Sequence, residues 1–508
     1  MLLSKPVDAA DRAASRWRGV LIDPARRERA VLASLAAYLL LWTIYGTIAK
    51  SSQGLHYDMT EVIAWSRDLS LGYLKHPPLA AGIVWAWFSV FPIAEWSYYL
   101  LAMLMPTVAL WFAWRLSADY LDVEKRVVAL ALLTLIPFFN FHALKFNVNT
   151  VLMPLWAMTT FWFLRSYKTR SRVYAVLAGV AAAACMLGKY WSVFLLVGLV
   201  VAALVDSRRA AYFRSAAPWL TVVAGLAMLA PHLVWLLQHD FAPFSYAVGI
   251  HGDKPFAATA FGVLGYFAGS IGYVAIPLIV VLAGARPGRA ALADMIWPAD
   301  AERRLAAATF WAPLLLPAVG AMASGTEINS LWSMPAWTLL PVLLLSSPAV
   351  TISSADTRRL LVAAVAVPLI MLIAAPVIAV MAHRAGPAPA AAHARLLASQ
   401  VERAWHEVTP QPLRYIGGDA EIAYDVVAVA VERPRALPNM PAPSEAELAQ
   451  SGMAMVCFAD DASCRSAASQ RATRVAASRT IESEIVRNYL KVPGKPKRYS
   501  IVIVPPQP

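Results

Sequence analysis

The chain is 508 residues long, 59% hydrophobic and only 15% charged, with a mean hydropathy of +0.55, which excludes a soluble enzyme of this size. Its 44 Lys and Arg against 31 Asp and Glu leave a formal charge of +13, a surplus that suits nucleic acid in a soluble protein but marks cytoplasmic loops in a membrane protein. The class that remains is a polytopic α-helical membrane protein.

Residues 1–29 are polar and basic, with Lys5, Arg12, Arg16, Arg18, Arg26, Arg27 and Arg29 and no apolar core of signal-peptide type. The run Ala30 to Ala49 is long enough to cross a bilayer and reads as a retained anchor. Further spans are expected near 97–115, 127–141, 147–164, 173–188, 190–205, 217–237, 259–284, 306–323, 331–347 and 360–382, about eleven in all. Basic residues test the count. With residues 1–29 in the cytoplasm, Arg115, Lys125, Arg126, Arg165, Lys168, Arg170, Arg172, Arg208, Arg209, Arg214, Arg286, Arg289, Arg303, Arg304, Arg358 and Arg359 all fall on that side. The opposite side holds Lys50, Arg67, Lys75, Lys145, Lys189 and Lys254. Topology therefore accounts for the charge, and no nucleic-acid partner is expected.

The first external loop, about residues 50–96, is too long for a connector. Met59 to Leu71 has helical spacing with Gly72 as a stop, and Pro77-Pro78 opens a second segment, Leu79 to Phe91, bearing Trp85, Trp87 and Phe88. Both read as helices in the membrane interface, where indoles are favoured. After the last span, Ala385 to Ala390 is a Pro/Ala/Gly linker. The expected organisation is thus a cytoplasmic N-terminus (1–29), a transmembrane domain (30–382) and a small periplasmic α/β domain (383–508). That last domain should contain a helix near 391–407, a strand at Leu413–Ile416, a helix over 419–431, a strand at Met453–Phe458 and a final strand at Tyr499–Val504. Cys457 and Cys464 are free to form a disulfide if the domain is periplasmic, whereas Cys185 lies in an apolar run.

The loop is also where chemistry is expected. His56-Tyr57-Asp58-Met59-Thr60-Glu61 and Lys75-His76 gather carboxylates, cations and histidines in a sequence otherwise poor in them. A carboxylate base with cations beside a membrane suits attack of a hydroxyl on a lipid-linked sugar phosphate. The same groups would also suit binding of a lipid headgroup. Asp58 and Glu61 further have the D-x-x-E spacing of a helix N-cap and its reciprocal partner. Lys189 reads equally as a snorkelling lysine or a phosphate ligand, and Asn147 and Asn149 as helix caps or cavity lining. Glu327, Asn329 and Trp332 form another external turn. His239, Asp240 and His251 have no metal-ligand spacing.

In combination, Asp58 through Trp65-Ser66, Gly72-Tyr73, His76-Pro77-Pro78-Leu79, Gly188-Lys189-Tyr190, Pro231-His232-Leu233-Val234-Trp235 with His239, and Trp332-Ser333-Met334-Pro335-Ala336 resemble a known family over about residues 30–350. The family is that of the GT-C membrane glycosyltransferases of protein mannosyltransferase type. Similar to them are the bacterial family 39 enzymes, among them the aminoarabinose transferases and rhizobial galacturonosyltransferases. The resemblance implies an inverting glycosyltransferase at the periplasmic face of the bacterial inner membrane. It would move a sugar from a polyprenyl-phosphate donor to a glycolipid acceptor, lipid A or lipopolysaccharide core. The resemblance also implies Asp58 as catalytic base, with Lys75, His76 and Lys189 near the donor phosphate, and Glu61, three positions on along the same helical face, is the carboxylate expected to assist Asp58. Tyr57, Asn149, Tyr190 and His239 complete the expected substrate-binding set. Two departures bear on metal: Met59 stands where the family commonly has Glu, and Asn149 where many relatives have an acid. No cofactor is therefore expected, and a divalent metal is left open. A protein O-mannosyltransferase and a flippase for lipid-linked sugars are the alternative readings.

Overall fold

The computed structural model describes residues 4–386, 389–437, 442–475 and 477–507. Pro387 and Ala388 of the expected linker fall outside the described residues. Contacts divide the chain into two compact units: one takes the chain up to Thr43, Lys75–Leu79 and Tyr99–Leu372, the other Ile44–Leu74, Ala80–Tyr98 and the chain from Ile373 on.

Among the described residues, six helices are long and apolar enough to cross a membrane: Arg27–Ala49, Glu95–Ser117, Ala217–Gln238, Phe256–Tyr273, Ala301–Ser324 and Ser354–Ala385. The chain is thus a multi-pass membrane protein. Several expected spans take other forms. Residues 127–141 contain the end of a 12-residue helix, Val123–Thr134, and a 3-10 turn, Pro137–Phe139. Such a helix reaches about 18 Å at 1.5 Å per residue, and Ile136 is pushed to extended backbone ahead of Pro137. Residues 259–284 divide at Val274 into Phe256–Tyr273 and Ala275–Ala285. Residues 331–347 form a 3-10 helix, Ser330–Leu339, followed by a short α-helix, Leu340–Leu345. Pro335 lies inside that 3-10 stretch. It has no N–H to give, and so leaves one backbone bond out.

Within the first unit the helices Arg172–Gly188 and Ala217–Gln238 touch backbone to backbone. A Cβ on Gly179 would lie 2.2 Å from the Thr221 carbonyl oxygen, and the Thr221 hydroxyl donates to the Ala175 carbonyl at 2.9 Å. Only glycine permits that approach, the small-residue packing that joins helices where apolar burial gives no preference over lipid.

The second unit is built on a five-stranded sheet. Its strands are β1 (Tyr415–Gly418), β2 (Arg435–Ala436), β3 (Met453–Phe458), β4 (Arg479–Ile485) and β7 (Lys497–Val504), in the order β2-β1-β3-β7-β4. The small ribbon β5 (Asn488–Tyr489) and β6 (Val492–Pro493) stands apart. β1 pairs in parallel with β2 and β3, and β7 antiparallel with β3 and β4, with Met453 opposite Val504 and Arg479 opposite Ile503. The helix Pro389–His406 lays Leu397, Val401 and Trp405 on the sheet at helical spacing, beside Ile416, Val456 and Ile501. The helix Ala420–Val429 adds Ile422, Val426 and Val427 to the same core. Ala64, from the first loop, is part of that core, and Tyr57 packs against it. Cys457 and Cys464 are joined by a disulfide, their Cα atoms 5.8 Å apart.

Candidate active site

The expected site residues divide between the two units. The carboxylates lie in the second. Their helix runs Tyr57–Ser66 and is buried along most of its length. Its end comes well before Gly72: the chain turns at Arg67, whose guanidinium donates to the carbonyls of Val427 and Ala428, the unbonded C-terminal end of the helix Ala420–Val429. Tyr73 then pins the following loop, stacking on Trp65 with ring centroids 5.2 Å apart and donating to the Trp65 carbonyl at 3.0 Å. The second loop helix, Leu79–Phe88, is also shorter than the expected segment to Phe91.

The capping-box reading of Asp58 is corrected. The N-cap is His56, whose Nδ1 accepts the Asp58 N–H at 3.1 Å. Asp58 sits inside the first turn, where the helix dipole favours a negative charge, and its carboxylate is not consumed as a cap. Its side chain is 28% exposed, whereas Glu61 is 6% exposed. The Tyr57 hydroxyl donates to Glu61 Oε1 at 3.1 Å. Burial, and after it the Glu61 charge, push the Tyr57 phenol up, so it remains a donor. Glu61 is therefore the fixed carboxylate and Asp58 the accessible one.

Sequence reasoning missed the group beneath this helix. The Thr60 hydroxyl lies 2.7 Å from Asp425 Oδ1 and 2.9 Å from the Tyr57 carbonyl. The Thr60 hydroxyl is the donor in both contacts, its one proton shared between the Asp425 carboxyl and the Tyr57 carbonyl. Asp425 is 2% exposed, and burial raises its carboxyl to about 7, against the opposing effect of the Thr60 bond. A lone carboxylate in the apolar run Ile422-Ala423-Tyr424-Asp425-Val426-Val427 was the available signal.

The first unit holds the rest. Asn147 caps the helix Val148–Thr169, accepting from the backbone N–H groups of Asn149 and Thr150. Asn149, the second residue of that helix, does something else: its Oδ1 accepts a bond from Lys189 Nζ at 2.8 Å. The ammonium also stands 4.6 Å from the centre of the Trp332 ring. An amide oxygen and an indole face both hold the lysine. Beside it, Tyr190 and His232 are joined through Oη and Nε2 at 2.9 Å. The rings then continue through His232 on Trp235 and Trp235 on His239, with centroids 5.9 and 4.3 Å apart. The His239 Nδ1–H donates to the Trp235 carbonyl at 2.8 Å, which settles its tautomer. Lys75 and His76, half-buried, occupy the turn ahead of Leu79–Phe88; contacts assign Lys75–Leu79 to the first unit. Thus Asn149, Lys189 and Trp332 form one group and Tyr190, His232, Trp235 and His239 another, while Tyr57, Asp58 and Glu61 form a third in the second unit. No three His, Cys, Asp or Glu side chains come together as metal ligands among the described residues.

Known proteins resemble the chain in sequence and in fold. The dolichyl-phosphate-mannose-protein mannosyltransferase family profile matches residues 75–235. The lipopolysaccharide core galacturonosyltransferase RgtB of Rhizobium johnstonii is 28% identical over 323 residues, a match covering 61% of this chain and 64% of that protein's length. In fold, the chain is similar to the crystal structure of ArnT from Cupriavidus metallidurans bound to undecaprenyl phosphate, with a TM-score of 0.59 at 13% identity over 93% of this chain and 97% of that one. The apo form of the same protein gives the same TM-score at 12% identity, with the same coverage of both chains.

Proposed function

We propose that this chain, which has the fold and a partial sequence kinship of the GT-C membrane glycosyltransferases, moves a sugar from a polyprenyl-phosphate donor to a glycolipid. The acceptor in this reading is lipid A or lipopolysaccharide core, at the periplasmic face of the bacterial inner membrane. The observation that carries it is Asp58: an accessible carboxylate in the first turn of a helix otherwise locked in place, on a chain with this fold. The likeness to a galacturonosyltransferase of lipopolysaccharide core and to ArnT supports the choice of donor and acceptor.

In the proposed reaction Asp58 takes the proton of the acceptor hydroxyl as its oxygen attacks the anomeric carbon. The bond from that carbon to the phosphate oxygen breaks, and the polyprenyl phosphate leaves with the electron pair, inverting the sugar. Lys189 is assigned to the departing phosphate, with Lys75 and His76. Tyr57, Asn149, Tyr190 and His239 are assigned to substrate binding. Glu61 holds Tyr57 and keeps the helix start rigid. About eleven spans from a cytoplasmic N-terminus would leave the chain beyond about residue 383 in the periplasm, and the Cys457–Cys464 disulfide suits that oxidising compartment.

Transfer of a radiolabelled sugar to micellar acceptor by the purified, detergent-solubilised protein tests the enzyme reading, since a flippase does nothing without a sealed membrane. Asp58→Asn should lower the rate by about 100-fold or more at unchanged fold; full activity in that variant defeats the base assignment. The mannosyltransferase profile match favours one second reading, a protein acceptor. Mass spectrometry of lipid A, core and periplasmic proteins from a deletion strain decides between them by which molecule loses its sugar.

A further inference from the structure

The second unit contains a cavity of about 640 Å³ that the transfer reaction leaves unused. Thr60 and Arg67 line it. Seven residues apart, they share one face of the helix, and Asp58 lies about 200° around from Thr60 at 100° per residue. The cavity therefore stands behind the reacting carboxylate. Arg395, Arg433 and Arg487 join Arg67 in its wall, facing Glu95 and Asp425. Asp425 carries little charge below pH 7, so the wall is strongly cationic. Arg487 is spent on the backbone carbonyls of Ser51, Ser52 and Ala392 and Arg67 on those of Val427 and Ala428, while Arg395, whose charge also acts on Glu95, and Arg433 are exposed. Arg67 keeps a buried Nε without a hydrogen-bond partner, and the Arg433 charge acts on it directly.

The rest of the lining is apolar and open to solvent. Ile93, Leu396, Val431 and Val486 all line the cavity, at 40%, 42%, 84% and 42% exposure. Ile93 belongs to the loop that also exposes Trp85, Val90 and Trp96, the aromatic and aliphatic surface that favours a membrane interface. Two exposed guanidinium groups, Arg395 and Arg433, beside the charges of Arg67 and Arg487 call for an anion with several oxygens. Exposed aliphatic side chains on the same cavity call for hydrocarbon attached to it.

We propose that this cavity binds an anionic lipid, its phosphate headgroup against Arg395 and Arg433 and the start of its acyl chain along Ile93, Leu396 and Val431. The site is separate from the Asp58 face and does not depend on the transfer reading. A bound lipid would brace the carboxylate helix from behind.

Native mass spectrometry of the full-length protein, titrated with short-chain phosphatidylglycerol or phosphatidylcholine, tests the proposal. Phosphatidylglycerol should be retained about tenfold more strongly, a preference that Arg395→Gln with Arg433→Gln abolishes. Val431→Glu, on a side chain too exposed to matter for folding, should lower retention as well. Equal retention of the two lipids, or a preference that survives both changes, overturns the proposal. Displacement of the lipid by equimolar inorganic phosphate overturns it too, because the apolar wall would then contribute nothing.

Discussion

Replacing Asp425 with Asn removes the charge that burial disfavours, while the amide oxygen still accepts from the Thr60 hydroxyl. In the wild-type protein the carboxyl titrates at about 7, against 3.8 in an unfolded chain. A folded value above the unfolded one means that the folded state holds its proton longer. Stability is accordingly full below pH 4, falls between pH 4 and 7, and stays low above that. At about 1.4 kcal/mol per pH unit, ionising Asp425 costs the fold about 4 kcal/mol, of which about 3 kcal/mol falls between pH 5 and 8. Thermal unfolding of the purified protein, followed by tryptophan fluorescence at one scan rate, should show Tm falling from pH 5 to pH 8 in the wild type. Asp425→Asn should escape that part of the fall and lie about 5 °C or more higher at pH 8. If the two proteins run parallel across this range, burial does not raise the Asp425 carboxyl and the reasoning fails.

Two further outcomes follow from packing and from charge. Gly54→Ala should destabilise the protein by about 2 kcal/mol or more, because Gly54 has φ +75° and a Cβ there would meet the Ala391 carbonyl oxygen at 2.4 Å. Ala391→Gly should give no relief, the obstructing atom being backbone, and a Tm within a degree of wild type would refute the clash. Lys189→Met should raise KM for the lipid-phosphate donor by about tenfold or more, the worth of a charged contact, with a smaller rise for Asn149→Ala. An unchanged KM removes Lys189 from the phosphate.

What was legible in the sequence follows period and composition. The strand Met453–Phe458 lies on its expected residues, and the helix Pro389–His406 begins and ends within two residues of its expected bounds, because alternation and amphipathic spacing are local signals. β4 was not foreseen: its sequence, Arg-Thr-Ile-Glu-Ser-Glu-Ile, is polar and becomes a strand by pairing with β7. Gly72 looked like a helix stop, yet the helix ends at Ser66 because Arg67 is drawn to carbonyls some 360 residues away in sequence. The 3-10 course of Ser330–Leu339 is equally hidden, since an apolar run fixes burial and not pitch. In the candidate site, the carboxylates and Lys189 were legible as polar residues in apolar surroundings. His56 as cap, and Asp425 as the support under Thr60, were not, because each role exists only once distant segments meet.

That meeting has a bearing on how the chain is made. Thr60 leaves the ribosome early, and its partner Asp425 comes 365 residues later. By then every one of the apolar helices has been synthesised. Until that point the Tyr57–Ser66 helix lacks the core that buries it, and ten residues alone are too few to hold a helix in water. The carboxylate expected to do the chemistry is therefore among the first residues made and among the last to be ordered. A chain released before the helix Ala420–Val429 would carry the apolar helices found among the described residues and lack the packing that holds the helix Tyr57–Ser66.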